Sequence, residues 1–374
     1  MRIIHIVAGL WRDTGGPAEV IPNLCAAQAA AGANVTLCTI DGDNAPQLES
    51  LAASGVDVHI FPSIDSVVRF SPAMRQYLMS RKDAHIIHNH GHWLWPNWCA
   101  ASISKKFNIP MVTTPHGTLV YGMLARSRIK KWIAWFAFDK RLVRQASIIH
   151  ALSPAEMAAM SPKLGADCSG KVCVLANGVN SFSNTGQNVS EDGGILLFLS
   201  RVAPIKGILP LLQAWQLISN KHQNWSLRIV GPLDPAISDE VKRLCDSAAR
   251  VQLVGPIYAE ERWQEYSQAA AFILPTFGEG LPTALLEAAA HKLPIITTPE
   301  ANFPELNHRG GSILTSAEPE ALALVLSQFF QLSGSERREI GVRAENLISE
   351  KYGWRTIAEQ WLTIYRGVNK NVAG

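Results

Sequence analysis

The chain has 374 residues, 47% of them hydrophobic and 17% charged, which is the balance of a globular enzyme with room for two cores. No apolar run is long enough to span a bilayer, and Met1-Arg2-Ile3-Ile4-His5-Ile6-Val7 reads as a strand with no basic segment before it; neither a membrane span nor a secretory leader is expected. The net charge of +3 is unevenly spread: residues 1–180 hold 17 Lys+Arg against 11 Asp+Glu, and residues 181–374 hold 17 against 20, so the basic excess is local and marks a candidate partner surface.

In chain order, an apolar strand at 2–8 leads into Asp13-Thr14-Gly15-Gly16-Pro17-Ala18-Glu19 and a small-residue helix at 17–31. Gly15 and Gly16 permit a tight turn with its amides facing outward, without forming the dinucleotide fingerprint Gly-x-Gly-x-x-Gly; a purely structural turn is the rival reading. A strand at 34–40 completes a strand–helix–strand unit, and further apolar strands follow at 56–61, 84–89, 109–114 and 146–151, which is an α/β pattern with a parallel sheet. His88-Asn89-His90-Gly91-His92 places three imidazoles on alternate positions, sharing one face if extended. Without a carboxylate or fourth ligand nearby no metal is expected, and one of the rings is a candidate for lining a ligand pocket. Thr113-Thr114-Pro115-His116-Gly117-Thr118 puts His116 at the carboxyl end of a strand, where ligands of such sheets bind.

Residues 121–150 contain seven basic side chains and one acid, Asp139, and Arg126 to Arg144 interleaves Trp132, Trp135, Phe136 and Phe138 with that charge. On a helical wheel Arg126, Lys130, Arg141 and Arg144 gather opposite much of the aromatic arc. Such a helix suits the surface of an anionic bilayer or, equally, buries its aromatics in its own domain. The six scattered cysteines, with no Cys-x-x-Cys pair, fit reduced packing residues of the cytoplasm.

Ala176-Asn177-Gly178-Val179 reads as a domain-junction turn, and residues 181–194, nearly free of apolar side chains, read as an exposed linker. A second α/β series follows, with strands at 195–199, 226–230, 251–254, 271–274 and 294–298 and helices at 207–219, 237–248, 259–269 and 282–291; helical patterns at 317–331, 335–349 and 354–367 close the chain. The expected division is an N-terminal domain 1–180, linker 181–194, a C-terminal domain 195–352, and a last helix within 353–374. The fold class is α/β, two Rossmann-like doubly wound domains facing a cleft.

Two segments of the second half carry the chemistry. Ser200-Arg201-Val202-Ala203-Pro204-Ile205-Lys206-Gly207 follows the first strand and precedes a helix, so one guanidinium and one ammonium stand where a diphosphate can be neutralised. Pro275-Thr276-Phe277-Gly278-Glu279-Gly280-Leu281-Pro282-Thr283-Ala284-Leu285-Leu286-Glu287 spans a strand-to-helix junction, with Gly278 and Gly280 expected to turn the backbone and Pro282 expected at the first helical position. Amides at Gly280 and Leu281, at the positive end of the helix, would bind phosphate. The bland alternative is solvated loop charges and a helix cap.

These two segments, in this order, resemble the Arg-…-Lys-Gly and Glu-x7-Glu signatures of family 4 retaining glycosyltransferases with the GT-B fold, of the kind that builds bacterial surface polysaccharide; the likeness covers nearly the whole chain. Lys292 and Ala301-Asn302-Phe303 stand where that family commonly has glycine, a departure that touches the donor side. The resemblance implies transfer of a hexose or N-acetylhexosamine from a UDP- or GDP-sugar to a hydroxyl of a lipid-linked or growing polysaccharide, in lipopolysaccharide, O-antigen, capsule or exopolysaccharide synthesis. It implies Glu279 and His116 on the sugar, Arg201 and Lys206 on the diphosphate, Glu287 on the ribose, and Gly15 and Gly16 near the donor phosphate or the acceptor. No cofactor, metal or nucleic-acid partner is implied, and the setting is cytoplasmic, with peripheral contact to anionic membrane through residues 126–144. Rival readings are transfer to a small soluble acceptor, an epimerase or phosphorylase on the same fold, and a non-catalytic nucleotide-sugar-binding subunit.

Overall fold

In the computed structural model, residues 1–10, 16–40, 47–119, 135–180, 193–257, 260–279 and 281–373 are described. The chain divides into two compact units, Met1–Gly178 with Trp354–Gly374, and Val179–Gly353.

The first unit carries strands β1 (Arg2–Val7), β2 (Asn34–Ile40), β3 (Asp57–Phe61), β4 (Ile86–His90), β5 (Met111–Thr114), β6 (Ile148–Ala151) and β7 (Val172–Val174). They form one sheet in the order β3-β2-β1-β4-β5-β6-β7, and each adjacent pair is parallel. Helices α1 (Gly16–Ala30), α2 (Gln47–Ala53), α3 (Pro72–Ser80), α4 (Trp95–Phe107), α5 (Lys140–Gln145), α6 (Pro154–Leu164) and α7 (Ala166–Ser169) connect them. Strands covered on both faces by crossover helices bury consecutive residues, which is why every residue of β1 after Arg2 and of β2 after Asn34 is buried, and all of them are uncharged.

The second unit carries β8 (Gly194–Leu199), β9 (Trp225–Val230), β10 (Val251–Gly255), β11 (Ala271–Leu274), β12 (Ile295–Thr297) and β13 (Ser312–Leu314) in the parallel order β10-β9-β8-β11-β12-β13. Its helices are α8 (Ile208–Ile218), α9 (Ser238–Ser247), α10 (Glu260–Gln268), α11 (Thr283–Ala290), α12 (Pro304–His308), α13 (Pro319–Gln331) and α14 (Gly334–Lys351). Both sheets are thus doubly wound. Strand order reverses between β1 and β4 in one unit and between β8 and β11 in the other, and such switch points are where the sheet leaves a crevice for a ligand.

The last helix, α15 (Trp354–Ala373), belongs to the first unit and lies along α1. Its Ile357, Trp361, Leu362 and Tyr365 are buried with Ile3, Ile86 and Val112 of β1, β4 and β5. Each such apolar side chain removed from water contributes about 1.5–3 kcal/mol, so α15 is part of this core. The two chain crossings lie side by side: the Val179 amide donates to the Tyr352 carbonyl at 2.8 Å, and a Cβ on Gly178 would stand 2.4 Å from the Trp354 ring.

Among the described residues no helix is long and apolar enough to cross a membrane. All six cysteines are unbonded and five of them are buried. The strands β7 and β13, three residues each, were not among the expected ones.

Candidate active site

At the switch point of the second unit, the loops after β8 and β11 are stitched together. The Ile205 carbonyl accepts from the Phe277 amide at 2.8 Å and from the Thr276 hydroxyl at 2.9 Å. Gly207, at φ +72°, lies so close that a Cβ there would be 1.9 Å from the Pro275 carbonyl oxygen. This contact requires glycine. It brings the Lys206 ammonium onto the Glu279 carboxylate in an ion pair whose side chains are only 16% and 13% exposed. The Glu279 backbone is held at both ends, its amide by the Glu300 carbonyl at 3.0 Å and its carbonyl by the Asn302 side chain at 2.5 Å. Arg201, in the loop after β8, is exposed and has no ion-pair partner among the described residues.

The turn before α11 differs from the expectation in two details. Gly278 keeps a negative φ, and the bend is made by the Thr276 hydroxyl, which accepts from the Gly278 amide at 3.2 Å. Pro282 caps the helix at φ −74° and ψ 118° instead of starting it, because α11 begins at Thr283. The Leu281 amide makes no backbone hydrogen bond among the described residues, while Gly280 lies outside them.

Glu287 sits in the α10–α11 interface, 3% exposed. Its carboxylate accepts from the Tyr266 hydroxyl at 2.8 Å and stands 3.3 Å from the Arg262 guanidinium. A carboxylate offers about four lone-pair directions, so these two contacts orient it without by themselves saturating it. Below it, His291 Nδ1 donates to the Glu287 carbonyl at 2.8 Å, and burial lowers the imidazole pKa to about 4, keeping it neutral.

In the first unit His116 follows β5 by two residues, in the left-handed region at φ 51° and before Gly117 at φ 75°. The turn is clamped by Glu156 of α6, which accepts from the Gly117 amide at 3.1 Å and the Leu152 amide at 2.7 Å. His116 Nε2 meets His90 Nδ1 at 3.0 Å, and His90 Nε2 meets His5 Nδ1 at 2.9 Å. His5 Nε2 is 2.8 Å from the Gln28 side-chain oxygen, whose amide nitrogen is 3.3 Å from the Tyr365 hydroxyl. That hydroxyl is 2.6 Å from His88 Nδ1, His88 Nε2 is 2.7 Å from the Thr114 hydroxyl, and the same hydroxyl is 3.0 Å from His150 Nδ1. His150 Nε2 ends the chain on the Leu175 carbonyl at 2.6 Å.

The expected face of three alternate imidazoles is therefore corrected. Gly91 and Trp93 both take positive φ, 81° and 75°, so the strand stops at His90 and His92 turns away into a buried site 3.6 Å from the Asp139 carboxylate. His88 and His90 instead stack with each other at 4.2 Å and join His5, one strand over. Gly16 is the first residue of α1, with open space around a Cβ placed on it, and Gly15 lies outside the described residues.

Of the basic aromatic segment, Arg126, Lys130 and Trp132 also lie outside the described residues. A single π-helical turn, Trp135–Asp139, leads into α5. Trp135 is buried, whereas Phe136 and Phe138 are 55% and 48% exposed. Lys140 lies over the Phe136 ring at 5.4 Å, and Arg141 and Arg144 are exposed.

Residues 15–178 match the family model described as a glycosyl transferase 4-like domain, and residues 193–331 match the one described as glycosyl transferases group 1. The chain belongs to the family 4 glycosyltransferases. It is 24% identical over 380 residues to the GDP-mannose:cellobiosyl-diphosphopolyprenol alpha-mannosyltransferase of Xanthomonas campestris, covering 98% of this chain and 96% of that one. A second relative, the lipopolysaccharide 1,2-N-acetylglucosaminetransferase of Salmonella typhimurium, is 26% identical over 186 residues, 46% of this chain and only 48% of the relative. In fold the chain is similar to Anabaena HepE in complex with UDP and glucose, at TM-score 0.72 and 16% identity over 98% of this chain and 100% of that one. It is also similar to WaaG, a glycosyltransferase involved in lipopolysaccharide biosynthesis, at TM-score 0.66 and 13% identity over 98% and 100%. The architecture is that of GT-B glycosyltransferases.

Several residues of this glycosyltransferase's candidate site gave little sequence signal. His5 and His150 are single imidazoles inside apolar strands, and Gln28 is a single amide on a small-residue helix. Tyr365 was the most accessible: it stands four residues after Trp361 on the last helix, the spacing of one buried face.

Proposed function

We propose that this glycosyltransferase is a retaining enzyme that moves a hexose or N-acetylhexosamine from a UDP- or GDP-sugar to a hydroxyl of a lipid-linked or growing polysaccharide, in surface polysaccharide synthesis. The observation that carries the reading is the Lys206–Glu279 pair locked at the β8/β11 switch point, with exposed Arg201 in the same loop as Lys206 and the amino end of α11 beyond Glu279. As the anomeric bond breaks, charge grows on the departing diphosphate, and preorganised cations and amides stabilise that charge more than they stabilise the ground state. Lys206, Arg201 and the amides at Gly280 and Leu281 take this part; Gly15 and Gly16 are assigned to the donor phosphate or the acceptor. Glu279 and His116 orient the sugar, and Glu287 accepts from the ribose hydroxyls.

No side chain is assigned as a covalent nucleophile. Retention then results from front-face attack, with the leaving phosphate taking the acceptor proton. No metal or cofactor is assigned a part in transfer. A lipid-linked acceptor places the enzyme on the cytoplasmic face of the membrane, for which exposed Phe136 and Phe138 beside Lys140 and Arg141 are the supporting feature.

The test is turnover. Purified enzyme is given a panel of UDP- and GDP-sugars with lipid-linked and soluble saccharide acceptors, nucleotide release is measured, and the anomeric configuration of the product is read by NMR. An inverted product would overturn the retaining assignment, and no release across the panel would favour a non-catalytic binding subunit.

A further inference from the structure

The hydrogen bonds that link five imidazoles in the first unit have one internally consistent direction, and it can be derived from one end. The Leu175 carbonyl can only accept, so His150 must donate from Nε2. A neutral His150 then accepts at Nδ1, which commits the single proton of the Thr114 hydroxyl to it and leaves Thr114 to accept from His88 Nε2. His88 accepts at Nδ1 from the Tyr365 hydroxyl, and the Tyr365 oxygen accepts from the Gln28 amide nitrogen. The Gln28 oxygen therefore faces His5, which donates from Nε2 and accepts at Nδ1.

The same step repeats twice more. His90 donates from Nε2 to His5 and accepts at Nδ1, and His116 donates from Nε2 to His90. His116 Nδ1 has no hydrogen-bond partner among the described residues and carries the lone pair left over at the outer end. Neutrality of the rings, on which every step depends, is supported by their burial: His5 and His150 are lowered to about 4, His116 to about 3, and His88 and His90 well below the ordinary imidazole value.

We propose that this buried relay fixes the tautomer of His116, protonated at Nε2 and bare at Nδ1, so that the ring presents a hydrogen-bond acceptor to a hydroxyl of the donor sugar. This rests on the assignment of His116 to the sugar. Gln28 and Tyr365 are then positioning residues for His116, acting through His5 and His90, and Tyr365 makes the last helix a contributor to the site although it touches no substrate. Ligand nitrogens of His5, His88 and His90 come within 4.8 Å of one another, a spacing a divalent cation could use. Each of the six ring nitrogens already has a partner at 2.6–3.0 Å, and a cation would have to break those bonds with no carboxylate among the described residues in the cluster to offset its charge.

The experiment is long-range proton–nitrogen NMR of full-length protein labelled in its histidines, with the His116 ring assigned from a His116→Gln spectrum. Wild type should show His116 protonated at Nε2 only; protonation at Nδ1 overturns the proposal. Gln28→Met keeps the volume and removes the amide that passes the direction from Tyr365 to His5. It should give a mixture of tautomers at His116 and raise KM for UDP-glucose or GDP-mannose, whichever is turned over, about tenfold while kcat changes less, the cost of one misdirected hydrogen bond. A folded Gln28→Met protein with the wild-type His116 tautomer refutes the relay. Zinc chloride that shifts the His5, His88 and His90 rings together at stoichiometric addition would also refute it, in favour of a metal site. If the tautomer is as stated but His116→Gln leaves donor KM unchanged, the relay stands and the sugar assignment falls.

Discussion

The Lys206 ammonium and the Glu279 carboxylate meet across the loops that follow β8 and β11, each side chain more than four-fifths removed from solvent. Arg201 stands five residues before Lys206 and is exposed. The two cations should therefore separate in stability while agreeing in catalysis. Lys206→Ala leaves Glu279 with a largely desolvated charge and should lower both Tm and kcat, the latter about a hundredfold. Arg201→Ala should lower kcat by a similar factor and leave stability within about 0.5 kcal/mol of wild type. Thermal melts beside steady-state kinetics decide it; a double variant with near-normal turnover would sink the electrostatic role of both.

Glu287 is read through two substitutions, because its carboxylate also belongs to the α10–α11 interface. Glu287→Ala takes a buried carboxylate away from Arg262 and the Tyr266 hydroxyl, and should cost stability as well as donor binding. Glu287→Gln keeps an oxygen for Tyr266 and removes the charge. It should stay folded and raise donor KM about tenfold or more, because charge-assisted bonds to the ribose become neutral ones. Unchanged donor affinity in folded Glu287→Gln protein would return the residue to a purely structural part.

How much could be read in the sequence depends on the range of the interactions involved. β8 and β11 are apolar runs that can be recognised locally; Arg201, Lys206 and Glu279 stand in the loops that follow them, and Glu287 on the helix after the second. The relay was hidden for the opposite reason. His5, Gln28, His150 and Tyr365 come together only when β1, α1, β6 and α15 pack, two bonded partners, Gln28 and Tyr365, standing 337 positions apart in the chain. The misreading of His92 has a backbone cause, since alternation along a strand holds only while φ stays extended, and it does not at Gly91 and Trp93.

The buried imidazoles also make stability depend on pH. His5 and His150 fall from 6.5 in the unfolded chain to about 4 in the folded one. A depressed imidazole pKa means that the unfolded state binds more protons between those values, so the contribution of these two rings is fully present above pH 6.5, falls as pH drops toward 4, and levels off below, while His116, at about 3, and His88 and His90, held well below the ordinary value, extend the decline to lower pH. Each group accounts for about 3 kcal/mol at about 1.4 kcal/mol per pKa unit, a large share of ordinary stability. Urea-unfolding midpoints from neutral pH downward should show this decline, centred between the two values. A profile flat across that window would mean that the rings protonate without unfolding the protein and that their burial is not the controlling factor.

The surface around α5 divides the aromatic residues between two fates. Trp135 is in the core and Phe138 stacks on Trp98 at 4.2 Å, while Phe136 and Phe138 keep about half their surface exposed beside Lys140, Arg141 and Arg144. Each Lys or Arg near an anionic bilayer contributes about 1 kcal/mol, so these three support weak, salt-sensitive attachment with no spanning helix among the described residues. Arg144 also stands 3.3 Å from Asp167, but both side chains are more than half exposed, and losing that pair should cost the fold little. Charge reversal at Lys130, Arg141 and Arg144 should abolish co-sedimentation with phosphatidylserine vesicles at low salt and leave hydrolysis of the donor sugar intact. Loss of vesicle binding and hydrolysis together would instead place the segment in the fold. Wild-type protein that ignores such vesicles would remove the membrane from the mechanism and point to a soluble acceptor.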